Sequence, residues 1–182
     1  HPFPANPKTQ VVMTAKHGSA PSPKITEDGV RVITQPDIRW SRCDVKSVSL
    51  LPNILAKQAA REAGAYETFM VDRDGMVTEG SSTNAWIIDG DGALVTRPAS
   101  NAILDGITRR RVIDLARQSG IKVVERPFSV DELKRAREVF LTSTSAYVTP
   151  VTQVDDRTIA NGKPGSTTLA LRERYLAFMA AV

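Results

Sequence analysis

Two aspartate- and glycine-rich turns, Asp72-Arg73-Asp74-Gly75 and Asp89-Gly90-Asp91-Gly92, each separate two short apolar runs. A chain punctuated in this way folds back on itself as antiparallel hairpins, because Asp and Gly accept the tight-turn conformations that β-branched residues refuse. The first hairpin is expected from Thr68–Val71 and Met76–Thr78, the second from Asn84–Ile88 and Ala93–Thr96. Around them the apolar period lengthens. Pro52 opens a helix that Gly64 closes, a second helix runs from about Ile107 to Ser119 and stops at Gly120, and Ser129 with Glu132 makes a capping box for a short third one. Further strands are expected at Val30–Thr34, Ile121–Glu125, Val139–Leu141 and Val148–Val154, and a last helix is expected with Ser166 as its cap. Hairpins mixed with helices at this spacing predict an α+β fold, a mixed, largely antiparallel sheet with helices packed outside. No Gly-x-Gly-x-x-Gly and no Gly-x-x-x-x-Gly-Lys-Ser/Thr occurs, which removes the ordinary dinucleotide-binding and P-loop folds.

With 182 residues, the chain has room for one full domain and part of a second. Six of its eleven prolines fall within the first 36 residues, and Ser19-Ala20-Pro21-Ser22-Pro23 has the composition of a linker. Residues 1–20, with one strand over Thr9–Ala15, are therefore expected to be the tail of a small N-terminal domain. Residues 21–24 would be the interdomain linker and 25–182 the large domain. A single cysteine, Cys43, and two histidines, His1 and His17, suggest neither a disulfide nor a zinc site, and no apolar run is long enough for a membrane span. The expected compartment is the cytoplasm, with no metal, membrane or nucleic-acid partner. The net charge of +4 favours anionic ligands, and a small phosphorylated molecule suits it as well as a polymer would.

Four segments could carry chemistry. Lys46 lies in Asp44-Val45-Lys46-Ser47-Val48, whose alternation would put it on one face with Asp44 and Val48. It reads either as an ordinary surface lysine or as a desolvated amine able to attack a carbonyl. Thr78-Glu79-Gly80-Ser81-Ser82-Thr83-Asn84 sets a carboxylate before small hydrogen-bond donors, and a polar turn explains it equally well. Gly106-Ile107-Thr108 starts a helix whose free N–H groups could hold a phosphate or simply be capped. Thr142-Ser143-Thr144-Ser145 places hydroxyls at a strand end, as a turn also would. Together these are the parts of a pyridoxal-phosphate site.

In order and spacing the segments resemble fold-type IV pyridoxal-phosphate aminotransferases, most closely the D-amino-acid aminotransferase branch. The matching residues are Asp37-Ile38-Arg39-Trp40-Ser41-Arg42-Cys43-Asp44-Val45-Lys46-Ser47 with Leu50-Leu51-Pro52-Asn53, then Thr78–Asn84, Ile103–Arg109, and Thr142–Ser145 with Thr149-Pro150-Val151. The resemblance implies a barrel-like sheet, pyridoxal 5'-phosphate as cofactor, a homodimer, and transfer of an amino group between a D-amino acid and a 2-oxo acid. It makes Lys46 the Schiff-base lysine and proton carrier, and Glu79 the partner of the pyridine nitrogen. Arg39, Ile107, Thr108 and Thr144 fall in the phosphate neighbourhood, Leu104 against the ring, and Ser81, Ser82 and Ser143 in the surrounding polar shell.

Family members run to roughly one and a half times this length and begin with a small lobe carrying a phosphate-binding arginine, a tyrosine and an Arg-x-His carboxylate trap. His1 would be the histidine of that trap and a substrate contact, so the chain is expected to be a fragment with impaired turnover. A branched-chain L-amino-acid transaminase, an (R)-selective amine transaminase and an aminodeoxychorismate lyase share the fold and the lysine. From a different class, a non-catalytic module could use Arg109-Arg110-Arg111 to bind nucleic acid or an acidic partner.

Overall fold

The computed structural model of the protein describes residues 2–18 and 21–181. Residues 2–18 are exposed throughout and carry no helix or strand, which corrects the strand expected over Thr9–Ala15. A lone strand leaves both rows of its backbone groups to water, and no neighbouring strand pairs with this one. Pro23 and Lys24, expected within a linker, begin the short helix α1 (Pro23–Glu27), with Pro23 in the first turn where its missing N–H costs nothing.

The chain continues through β1 (Val30–Pro36), α2 (Leu51–Glu62), β2 (Glu67–Val71), β3 (Val77–Gly80), β4 (Asn84–Ile88) and β5 (Leu94–Thr96). It then forms α3 (Ile107–Gln118), β6 (Val123–Glu125), α4 (Val130–Arg135), β7 (Glu138–Ser143), β8 (Tyr147–Val154), β9 (Arg157–Thr158) and α5 (Ser166–Ala180). Both expected hairpins form, and the turn glycines Gly75 and Gly92 take left-handed φ of 75° and 81°. The capping box is present, with Ser129 Oγ accepting from the Glu132 N–H at 3.1 Å and Glu132 returning the bond to the Ser129 N–H. The cap of α5 differs from expectation. Gly165 holds the cap position, Ser166 is already helical, and the Glu138 carboxylate reaches across from β7 to accept from the Thr167 and Thr168 N–H groups at 3.0 and 2.8 Å. A side chain at Gly165 would collide with that carboxylate.

The strands form one sheet in the order β3-β2-β1-β8-β7-β4-β5-β6, with β9 beside β8. The β1–β2, β1–β8 and β5–β6 pairs are parallel, and the others are antiparallel. The terminal strands of that order, β3 and β6, are drawn together by the segment after β6. Val77 N–H donates to the Phe128 carbonyl at 2.9 Å, and Met76 bridges to Ser129. The sheet therefore curls toward a barrel, as the resemblance implied. Its inner face holds Phe69, Ala85, Ile87, Val95, Val139 and Leu141. On the outer face Trp86, Ile88 and Phe140 pack against Val112, Ile113 and Ala116 of α3 and Leu171 and Tyr175 of α5. The strand period of two thus sends alternate residues of β4 into two separate cores, so every residue of β4 is buried. Burying these faces is the main favourable term for the fold, at roughly 25 cal/mol per Å² of apolar surface.

Candidate active site

At one end of the curled sheet lies a cleft of about 920 Å³. Its walls are the irregular loop 37–50, the start of α2, the turn between β3 and β4, residues 104–106 with the start of α3, and the end of β7. All ten residues that the resemblance gave a cofactor role line it: Lys46, Glu79, Arg39, Ser81, Ser82, Leu104, Ile107, Thr108, Ser143 and Thr144. His1 lies outside the described residues.

Glu79 comes from the end of β3 and forms the most tightly held part of the floor. Its carboxylate accepts from the Arg39 guanidinium, from Asn84 Nδ2 at 2.9 Å and from the Leu104 N–H at 3.1 Å. Only 7% of its side chain is exposed. Burial pushes the carboxyl up to about 7, against the pull of the Arg39 guanidinium and the Leu104 N–H, while the nearby Asp37 charge adds to the rise. Asn84 also donates to the Leu104 carbonyl at 2.9 Å, so one amide fixes both the acid and the segment that follows it.

Arg39 is placed differently from the expectation of a phosphate neighbour. Its Nε and Nη2 bond both oxygens of Asp37 at 3.0 and 2.8 Å, Nη1 bonds Glu79, and Nη2 also reaches the Ala102 carbonyl at 3.1 Å. With every guanidinium nitrogen engaged, Arg39 stands beside the floor acid as its counter-charge. Burial opposes the guanidinium's charge, but Asp37 and Glu79 more than offset it and hold the group protonated. Asp37 in turn would be raised by burial, yet its bonds from Arg39 and Thr78 keep it below the usual carboxylate range.

Lys46 also departs from expectation. Loop 37–50 forms no strand, so the alternation read around Lys46 is not realised, and Lys46 is exposed rather than desolvated. The loop is tied down elsewhere, by Asp37 N–H to the Val71 carbonyl at 2.7 Å and Cys43 N–H to the Asn101 carbonyl at 2.8 Å. The apolar residues around it are open as well, Val48 at 95% and Trp40 at 51%.

On the same cleft, α3 begins at Gly106 with no side-chain cap, which leaves the Ile107 and Thr108 N–H groups at the positive end of the helix dipole and on the cleft wall. The Thr108 hydroxyl is turned to Tyr175 Oη at 3.3 Å, so Thr108 offers its backbone to the cleft rather than its side chain. A Cβ on Gly106 would come within 2.5 Å of Asn84 Oδ1, so only glycine lets the helix start pack this closely on the floor amide. The Ser81 and Ser82 hydroxyls point downward to Glu67, Ser143 Oγ accepts from the Ala146 N–H at 3.0 Å, and Thr144 is exposed at the rim.

The donor set fits a phosphorylated heterocycle. It offers a buried acid with a fixed counter-ion, an uncapped helix start and an amine, all lining one cleft. Asn84, Asp37 and Asn53 stand within the sequence motifs without a role of their own; their task is to hold the groups that have one. Glu67 escapes the reading of the sequence, and its only signal is a carboxylate at the entry of the apolar run Thr68–Val71. The basic run Arg109-Arg110-Arg111 is not a free cationic face. Arg109 is buried in ion pairs with Asp105 and Glu125, Arg110 pairs with Asp105, and Arg111 stacks 4.0 Å from the Phe178 ring centroid. Among the described residues no group of three or more His, Cys, Asp or Glu could hold a metal, and no helix is long and apolar enough to cross a membrane.

Comparison with known proteins accords with this geometry. Residues 2–154 match the family model for amino-transferase class IV. The chain belongs to the class IV aminotransferase family. It is 46% identical over 145 residues to a D-alanine aminotransferase of Bacillus licheniformis, covering 80% of this chain and 50% of that protein. It is 42% identical over 176 residues to the D-alanine aminotransferase of Staphylococcus epidermidis, covering 96% of this chain and 61% of that one. Among solved structures, a T.th. branched-chain amino acid aminotransferase with pyridoxamine 5'-phosphate superposes with a TM-score of 0.82 at 36% identity, over 88% of this chain and 54% of that one. The class IV chain thus spans between about half and three fifths of the curated relatives it matches.

Proposed function

We propose that residues 25–182 are the cofactor domain of a pyridoxal-phosphate-dependent D-amino-acid aminotransferase, which moves an amino group between a D-amino acid and a 2-oxo acid. The observation that carries this reading is the buried carboxylate of Glu79, clamped by Arg39, Asn84 and the Leu104 N–H on the floor of a cleft that Lys46 and an uncapped helix start also line. When bound, the cofactor supplies a carbonyl that takes up the amino group and a ring that draws electrons from the substrate Cα. Glu79 would accept a hydrogen bond from the ring nitrogen and so favour its positively charged form. The Ile107 and Thr108 N–H groups would hold the phosphate, with Thr144 and Ser143 nearby, and Leu104 would pack against the ring. Lys46 Nζ would anchor the cofactor and, once displaced by the incoming substrate amine, would as a free amine take the proton from the substrate Cα and hold it for return.

The D-alanine aminotransferase relatives favour a D-amino acid over the branched-chain amino acid that the solved neighbours' names suggest. His1, as the last member of a carboxylate trap, would contribute to substrate binding. The open apolar side chains at the cleft mouth, Val48 and Ile107 among them, support a homodimer in which this surface is covered. The single cysteine suits a cytoplasmic enzyme. The test is borohydride reduction of the full-length protein with pyridoxal 5'-phosphate, followed by peptide mapping, beside a half-reaction with D- and L-alanine. A phosphopyridoxyl adduct on Lys46 and faster conversion with the D-isomer are expected. Lys46→Ala should lose the adduct and at least 1000-fold in rate, about 4 kcal/mol in transition-state energy. The reading is overturned by a wild-type protein that yields no adduct on Lys46.

A further inference from the structure

Below the cleft floor lies a second carboxylate that the proposed chemistry does not use. Glu67, the first residue of β2, is fully buried at 0% exposure. Its carboxylate accepts from Ser81 Oγ at 2.5 Å, Ser82 Oγ at 3.3 Å, Thr83 Oγ1 at 3.4 Å and the Thr68 N–H at 2.8 Å, and Lys57 Nζ stands 3.7 Å away. Removing a carboxylate from water costs several kcal/mol unless its partners are in place, so each partner is held by the others.

Those partners belong to two elements that line the site, the turn and α2. Ser81–Thr83 is the turn that joins Glu79, at the end of β3, to Asn84, at the start of β4. The turn is drawn down so tightly that a Cβ on Gly80 would collide with Thr83 Oγ1 and lie 3.2 Å from Glu67 Cγ. Lys57 belongs to α2, the helix that begins just after the Lys46 loop. Two further bonds dock α2 on the same spot, Asn53 Nδ2 to the Ser81 carbonyl at 2.8 Å and Thr68 Oγ1 to the Ala56 carbonyl at 2.6 Å. Glu67 thus gathers the three hydroxyls of the turn and draws on the helix through its ion pair with Lys57, whose Nζ also donates to the Tyr66 carbonyl, while Asn53 joins helix and turn directly.

We propose that Glu67 is a positioning residue, which sets the separation of Lys46 and Glu79 by holding the Ser81–Thr83 turn and helix α2 from beneath the cleft. This rests on the aminotransferase reading. A ligand that bridges an amine on one wall and an acid on the floor binds only if that separation is fixed, so the consequence belongs to cofactor affinity and rate more than to folding.

Glu67→Gln keeps the volume but turns one acceptor oxygen into a donor that faces hydroxyls and an ammonium. Full-length wild-type protein, Glu67→Gln and Glu138→Gln are compared by pyridoxal 5'-phosphate titration, by the borohydride-trapped fraction at Lys46 and by Tm. Glu138 serves as the reference because it caps α5 from the end of β7 remote from the cleft. The expected result for Glu67→Gln is a cofactor Kd raised at least tenfold, a smaller trapped fraction and a kcat lowered at least tenfold, while KM for the amino acid moves less than threefold. Glu138→Gln should lower Tm with no change in cofactor Kd. A Glu67→Gln protein that loses Tm like Glu138→Gln but keeps wild-type cofactor Kd and trapping overturns the proposal. Should Glu67→Gln fail to fold, Lys57→Met removes the ion pair on the helix side, together with the Lys57 bond to the Tyr66 carbonyl. It must raise cofactor Kd at least threefold, and a wild-type value there overturns the proposal as well. An adduct in wild type with unaffected variants removes this inference alone, whereas no wild-type adduct removes the aminotransferase reading with it.

Discussion

Glu79 and Asp37 flank the same guanidinium and respond to burial in opposite ways. Asp37 has bonds from Arg39 and Thr78 that keep it below its usual value, whereas burial leaves Glu79 near 7, above its usual 4.5. The folded protein therefore holds the Glu79 proton more tightly than the unfolded chain does. The stability this provides is complete below pH 4.5 and is lost as pH rises through about 7. Asp37, Glu132 and Asp155 are all lowered, so their contributions are present above the ordinary carboxylate range and fade only in acid. Between pH 5 and 8 the slope is that of Glu79, on the order of 3 kcal/mol in total. The Tm of the cofactor-free protein is expected to fall by several degrees across that window and to stay level in Glu79→Gln. Added pyridoxal 5'-phosphate should flatten the wild-type slope, because a positive ring nitrogen holds Glu79 ionised. A level profile in the cofactor-free wild type would count against this account. Lys46 and Glu79 are legible because each stands in a distinctive local motif. The partners that fix Glu79, Arg39 from a distant loop and the Leu104 N–H from beyond β5, are not, because nothing local in a sequence records which residues meet across 25 or 40 positions.

At the scale of elements, the hairpins, the capping box and helices α2 and α3 follow from turn chemistry and period, which are local properties. The departures from expectation share a cause. The segment Thr9–Ala15 has the composition of a strand but no neighbour to pair with. Ser166 has the chemistry of a cap for α5, whereas Glu138 caps that helix from another element. Asp44–Val48 alternates like a strand, yet the loop that holds it is tied by bonds to the Val71 and Asn101 carbonyls instead of a ladder. The start of α3 is the element on which phosphate binding depends, and its contact with β4 is close. Gly106→Ala would push against Asn84 Oδ1, and Asn84 cannot yield without loosening Glu79 and Leu104. We expect at least a tenfold loss in affinity for pyridoxal 5'-phosphate and a smaller loss for pyridoxal, which lacks the phosphate. Equal losses for the two ligands would place the damage on the floor rather than at the helix.

For the molecule as a whole, the sheet order β3-β2-β1-β8-β7-β4-β5-β6 brings the ends of β3 and β7 and the starts of α2 and α3 around one cleft. The two tryptophans report on this arrangement from opposite sides. Trp86 is completely buried between the sheet and α3, and Trp40 stands half-exposed on the cleft. Iodide should quench about half of the tryptophan emission of the 182-residue chain and spare the rest. In a polypeptide of the relatives' length, Trp40 should become protected if the cleft mouth is covered as proposed; unchanged quenching would argue against that cover. The sequence by itself determined the hairpins, most helix limits, the family and the residues that line the cleft, because these depend on turn geometry, period and motif, all of which are local. Only the tertiary structure decided that Arg39 pairs with Asp37 and Glu79, that Lys46 lies open, and that Glu67 is buried among Ser81, Ser82, Thr83 and Lys57. Those outcomes depend on which strands neighbour one another and on how deeply each charge is buried, and burial is a property of the packed molecule.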